Sequence, residues 1–127
     1  MLDHIGFPVA GYARSRAFYD AVMPSIGARR MMEVTPEMTG GSSHAGYGVK
    51  KPDFWIGTGE ALSGSLHVAF SASSRAEVDA FYAAAIAAGA EDNGAPGLRP
   101  HYHENYYGAF VLDPDGHNIE AVCHRPE

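Results

Sequence analysis

"SLHVAFSASSRAEVDAFYAAAIAAGA", residues 65–90, holds a strand, a turn and a helix, each marked by its own physical signal. Leu66, Val68 and Phe70 alternate with His67 and Ala69, the period of a strand with one apolar face. Ser74 and Glu77 stand at the spacing of a capping box. Val78, Phe81, Tyr82, Ala85 and Ile86 then recur as a helical stripe that Gly89 ends.

The same order appears in "DHIGFPVAGYARSRAFYDAVMPSIGA", residues 3–28. Ile5, Phe7 and Val9 share one strand face and His4, Gly6 and Pro8 the other. Phe18, Ala21, Val22 and Ile26 follow at helical spacing, with Pro24 kinking or ending the last turn and Gly27 stopping it. The two stretches are copies in step, because His67 follows His4, Phe81 follows Phe18 and Tyr82 follows Tyr19 by the same 63 positions (67 less 4, 81 less 18, 82 less 19).

Shorter strand-like runs trail each helix: "ARRMMEV", "GYGVKK" and "DFWIG" in the first half, "NYYGAFVLD" and "HNIEAVCH" in the second, divided by Gly, Pro and Asp turns. The pattern predicts an α+β fold in one domain, residues 1–127, built from two βαβββ repeats at about 1–60 and 64–127. Their strands are expected to form one cupped mixed sheet with the helices on its outer face. Half-cups of this kind are best completed by symmetric pairing, so a homodimer is expected.

A net charge of -6 leaves no broad basic surface to neutralise phosphates, which excludes nucleic acid as a partner. No apolar run approaches the ~20 residues that cross a bilayer, which excludes a membrane span. Cys123 is the only cysteine, so no internal disulfide forms, and the opening residues lack the apolar core of a signal peptide. The reading is a cytoplasmic protein acting on a small molecule.

Alternation also assigns side chains to faces. If helices cover Ile5, Phe7 and Val9, then His4 turns to the concave face, and His67 does so likewise. In "HNIEAVCH", residues 117–124, Ile119, Ala121 and Cys123 fall under a helix, which sends Glu120 inward. A carboxylate inside a strand needs water, a cation or a metal beside it. Two imidazoles and a carboxylate on one concave face form the donor set of a divalent metal site for Zn, Ni, Mn or Fe(II).

The two βαβββ units, the strand histidine in each and "DPDGHNIE" resemble the vicinal oxygen chelate superfamily, which includes glyoxalases, bleomycin-resistance proteins, fosfomycin-resistance enzymes and extradiol dioxygenases. The resemblance covers essentially the whole chain. It implies that His4, His67 and Glu120 match ligand positions in the first, fifth and last strands, and that related folds draw His4 from one chain and Glu120 from the other. Glyoxalase I sites usually add a fourth ligand from the last strand of the first half, where the repeat places Trp55. An indole cannot ligate, so Trp55 is read as a pocket wall that leaves a three-ligand site with open positions.

In "HYHENYYG", residues 101–108, His101 and His103 are candidates for acid or base near neutral pH, and Tyr106 for hydrogen bonding to a substrate or oxyanion. Tyr107 and Phe110 join Trp55 as substrate-binding candidates, and Arg99 can pair with an anionic group. His44, His117 and His124 read as turn, loop or structural residues, and Cys123 as a small buried hydrophobe. The expected function is a metal-dependent lyase or isomerase of glyoxalase type acting on a substrate with vicinal oxygens. The alternatives are a dioxygenase or thiol transferase using the same three ligands, and a metal-free drug- or metabolite-binding protein.

Overall fold

The computed structural model describes residues 1–127. The first half runs β1 (Ile5–Val9), α1 (Tyr12–Val22), a 3-10 turn (Met23–Ile26), β2 (Arg29–Val34), α2 (Pro36–Thr39), β3 (His44–Gly48) and β4 (Phe54–Thr58). The second runs β5 (His67–Ser71), α3 (Arg75–Ala87), β6 (Glu91–Asp92), β7 (Gly97–Leu98), β8 (Tyr107–Leu112) and β9 (Asn118–Cys123).

Local chemistry sets the helix ends. Ser74 Oγ accepts the Glu77 N–H at 3.2 Å, while Glu77 Oε2 reaches back to the Ser73 N–H at 2.6 Å, so the capping box closes one residue wider than the usual pair. Pro24 is the second residue of the 3-10 turn after α1, and Gly27 ends the turn at φ 80°, a conformation that a Cβ would strain.

The strands form two sheets, where the sequence led to the expectation of one continuous cup. One has the order β1-β4-β3-β2 and the other β5-β9-β8-β6, with β7 also on β8. In each, the first strand lies parallel to the last and the remaining pairs are antiparallel. Strands β1 and β5 therefore each keep one free edge. A cleft of about 580 Å³, lined by Ile5, Phe54, Val68 and Phe70 among others, lies between the halves where a shared ladder would have run.

What joins the halves is a common core and one turn. Phe7, Phe18, Tyr19 and Phe54 of the first half are buried in one cluster with Val78, Phe81, Val111 and Ile119 of the second. The Asp113–Gly116 turn then docks on α1 and β1. Asp113 Oδ2 accepts the buried Tyr19 hydroxyl at 2.7 Å, and Asp113 Oδ1 accepts the N–H groups of Asp115 and His117. Asp115 accepts the Ala10 N–H at 3.0 Å and pairs with Arg14 at 3.3 Å. His117, read as a turn residue, is buried edge-on against Phe7 with ring centroids 5.4 Å apart.

Tyr19→Phe removes one donor from a buried carboxylate and keeps the ring. We expect a loss of about 1–3 kcal/mol in denaturant unfolding with secondary structure retained.

Candidate functional site

Residues paired across a sheet share a face, so the strand registers define what each concave wall presents. In the second half one row is Ala69–Glu120–Phe110, and the next toward the strand start is His67–Asn118–Leu112. Glu120 is fully buried. His67 Nε2 lies 2.8 Å from Glu120 Oε1, with the imidazole half-exposed. The Tyr106 hydroxyl donates to Glu120 Oε2. Burial, then the hydrogen bond and charge of Glu120, push the Tyr106 phenol well above its ordinary range, so it stays a donor. Gly108 makes room for this contact, since a Cβ there would stand 3.0 Å from the Tyr106 ring and 3.1 Å from Glu120 Oε2.

The first half presents Gly6–Trp55–Gly46–Met32, equivalent to the Glu120 row, and next toward the end of β1 the row Pro8–Gly57–His44–Val34, equivalent to Ser71–Val122–Gly108. Gly6 and Ala69 are themselves 63 positions apart, and they pair with Trp55 and Glu120 respectively. Trp55 therefore occupies the position of Glu120 in its own half by strand register. His44 begins β3 rather than lying in a loop, and its position corresponds to that of Gly108.

His4 lies at the entry to β1, exposed, with Nδ1 2.7 Å from Asp3 Oδ1. It opens onto the cleft between the halves together with His67. Within one chain no three His, Cys, Asp or Glu side chains come together as a metal-binding group. The structure thus joins His67, Glu120 and Tyr106, and leaves His4 on the other sheet.

The remaining candidates divide. Phe110 sits on the Glu120 row with its ring 6.1 Å from His67, and the Arg99 guanidinium lies 5.3 Å from the Phe110 ring centroid. The Arg99 donors are taken by the carbonyls of Ala95, Gly97 and Gly108, so its fork is spent on the backbone rather than offered to an anion. Tyr107 points to the helix side, where its hydroxyl donates to Asp79 at 2.7 Å, because one step along a strand reverses the face. His101 and His103 lie on an exposed turn beyond β7. His103 packs on His124 at 5.4 Å and His124 on Tyr106 at 5.1 Å, which links that turn to the Glu120 site. Cys123 is buried on the helix side.

The model for the Glyoxalase/Bleomycin resistance protein/Dioxygenase superfamily matches residues 1–121. The chain belongs to this superfamily. Among solved structures, a glyoxalase/bleomycin resistance protein from Albidiferax ferrireducens T118 is 29% identical, covers 99% of both chains and superposes with a TM-score of 0.72. A point mutant of the fosfomycin resistance protein FosX of Listeria monocytogenes, crystallised with Mn(II) and 1S,2S-dihydroxypropylphosphonic acid, is 20% identical over 98% of this chain and 93% of its own, with a TM-score of 0.68. A glyoxalase/bleomycin resistance protein/dioxygenase family enzyme from Burkholderia phytofirmans PsJN is 22% identical over 97% and 98% of the two chains, with a TM-score of 0.70. No curated protein matches the chain. No helix is long and apolar enough to cross a membrane.

Tyr106→Phe leaves one oxygen of a fully buried carboxylate without its donor. We expect it to lose about 1–3 kcal/mol of unfolding free energy, while Tyr107→Phe, which breaks an exposed contact, changes it by about 0.5 kcal/mol or less.

Proposed function

We propose that the protein is a metal-dependent enzyme acting on a small substrate with adjacent oxygens, by lyase- or isomerase-type chemistry. His67 and Glu120 of one copy and His4 of a second copy hold the ion. The observation that carries this reading is a completely buried carboxylate placed 2.8 Å from an imidazole nitrogen on a concave sheet face.

The donors fit such an ion. Two ligands each 2.0–2.2 Å from one metal and at right angles stand about 3 Å apart, close to the separation of His67 Nε2 and Glu120 Oε1. At His4 the Asp3 carboxylate fixes the proton on Nδ1, which leaves the Nε2 lone pair free, the arrangement in which a carboxylate orients a ligating histidine. A divalent ion bound here supplies Lewis acidity toward the paired oxygens of a substrate. Tyr106 holds the Glu120 carboxylate in place, and His101 or His103 on the neighbouring turn exchanges the proton with solvent. The free edges of β1 and β5 and the apolar cleft between them support pairing of two copies, which also removes two open strand edges. The charge, the folding of the whole chain and the cysteine content accord with a cytoplasmic homodimer.

A second reading has its own support. Both Glu120 oxygens already have protein donors, and Trp55 fills the fourth ligand position of a glyoxalase site, as a metal-free drug- or metabolite-binding protein would have it. Titrating Mn, Ni, Zn and Fe(II) into chelator-stripped protein separates the two. Glu120→Gln keeps the shape and is expected to weaken metal binding at least about tenfold, while Trp55→Glu adds an oxygen donor and tightens it. Binding of none of these metals by the parent makes the metal-free reading the correct one.

The shared site has a separate test. His4→Ala and Glu120→Ala proteins are each expected to bind metal poorly. Exchanging their subunits should restore about a quarter of the sites, because each mixed dimer keeps one intact set. A set contained in one chain would show no recovery.

A further inference from the structure

The wall of the first half carries its own constellation. Trp55, His44, Gly6, Pro8 and Gly57 line a groove of about 290 Å³ that contains no residue of the second half. Its two rings occupy space vacated by glycines. A Cβ on Gly46 would fall 2.8 Å from two atoms of the Trp55 benzo ring, and a Cβ on Gly57 would fall 2.4 Å from His44 Nδ1. Any larger residue at either position displaces a ring. The indole is further tied by Trp55 Nε1–H donating to the Pro52 carbonyl at 3.2 Å, and the imidazole by Ser42 Oγ at 3.1 Å from His44 Nε2. His44 Nδ1, which lies over Gly57, makes no hydrogen bond within the chain.

The cross-strand rows of this wall, Gly6–Trp55–Gly46–Met32 and Pro8–Gly57–His44–Val34, contain no acidic side chain. Glu33, the acidic residue within β2, turns to the other face, where Tyr12 and Arg16 hold it. The wall thus offers a fixed aromatic surface and one imidazole ring, with no carboxylate in these two rows.

We propose that this wall binds the planar, conjugated part of an oxygen-bearing acid, with the ring stacked on Trp55 and an oxygen hydrogen-bonded to His44 Nδ1. The inference rests on the enzymatic reading above and names the substrate class of the same cup: an aromatic or otherwise flat acid rather than a saturated one. Trp55 and His44 are specificity-determining residues, positioned by Gly46 and Gly57.

Trp55 is the sole tryptophan, so its fluorescence reports on the groove directly. The probes are mandelate and hexahydromandelate, which share a 2-hydroxy acid and differ only in whether the ring is flat. Each is titrated with excess Mn(II) and again with chelator. Mandelate is expected to quench Trp55 saturably and to bind about fivefold tighter than its saturated analogue under both conditions. Gly46→Ala, Gly57→Ala and His44→Ala keep the fluorophore. With thermal unfolding showing that they fold, each is expected to lower mandelate affinity several-fold, and Gly46→Ala to erase the preference for the flat ring. Equal affinity for the two probes, no saturable quenching by either, or unchanged mandelate binding in His44→Ala overturns the proposal. A preference for the flat ring in protein that binds no metal leaves it standing while the enzymatic reading fails. Metal binding without that preference does the reverse.

Discussion

Asp113 is the point on which the arrangement of the two halves turns. Its carboxylate is almost fully buried and accepts three hydrogen bonds, two from its own turn and one from the Tyr19 hydroxyl in the other half. A buried carboxylate that lost its donors would face a large desolvation cost, so the turn cannot drift from α1 without leaving charge unpaired. The same turn sends the chain into β9. The anchor that locks the second half onto the first therefore also fixes the phase of the strand that carries Glu120.

The repeat supplies two walls of one design, and their differences show what each is for. Where the second half has Ala69, Glu120 and Phe110 in a row, the first has Gly6, Trp55 and Gly46. Where the second has Gly108, which gives Tyr106 access to Glu120, the first has His44 beside Gly57. Bulk and space have changed places between equivalent positions. One wall holds a hydrogen-bonded carboxylate, and the other a pair of rings.

The repeat, both helices and the inward turn of His67 and Glu120 were legible in the sequence because period-2 and period-3.6 patterns survive wherever one face meets a core. The single cup was not legible, since alternation says which face a residue takes and nothing about which free edges join. His44 was hidden in "TGGSSHAGYG", where glycines read as a loop although Gly46 serves as strand floor beneath an aromatic ring. Tyr106 and Tyr107 were taken together although adjacent strand residues point apart. Arg99 was read as a free cation because carbonyls that accept from a side chain leave no mark in composition.

Access decides how the two walls must meet. Glu120 has no exposed surface, being covered by Tyr106 on one oxygen and reached by His67 on the other, while half of the His67 side chain remains open. His67, at the start of β5, stands beside Glu120 with half of its side chain open, and it lines the cleft between the halves. His4 opens onto that cleft from β1, the unpaired edge of the other sheet. His4 and His67 thus both stand at open strand edges that a second copy would cover. In the proposed dimer, closing those edges and completing the donor set around Glu120 are the same physical event.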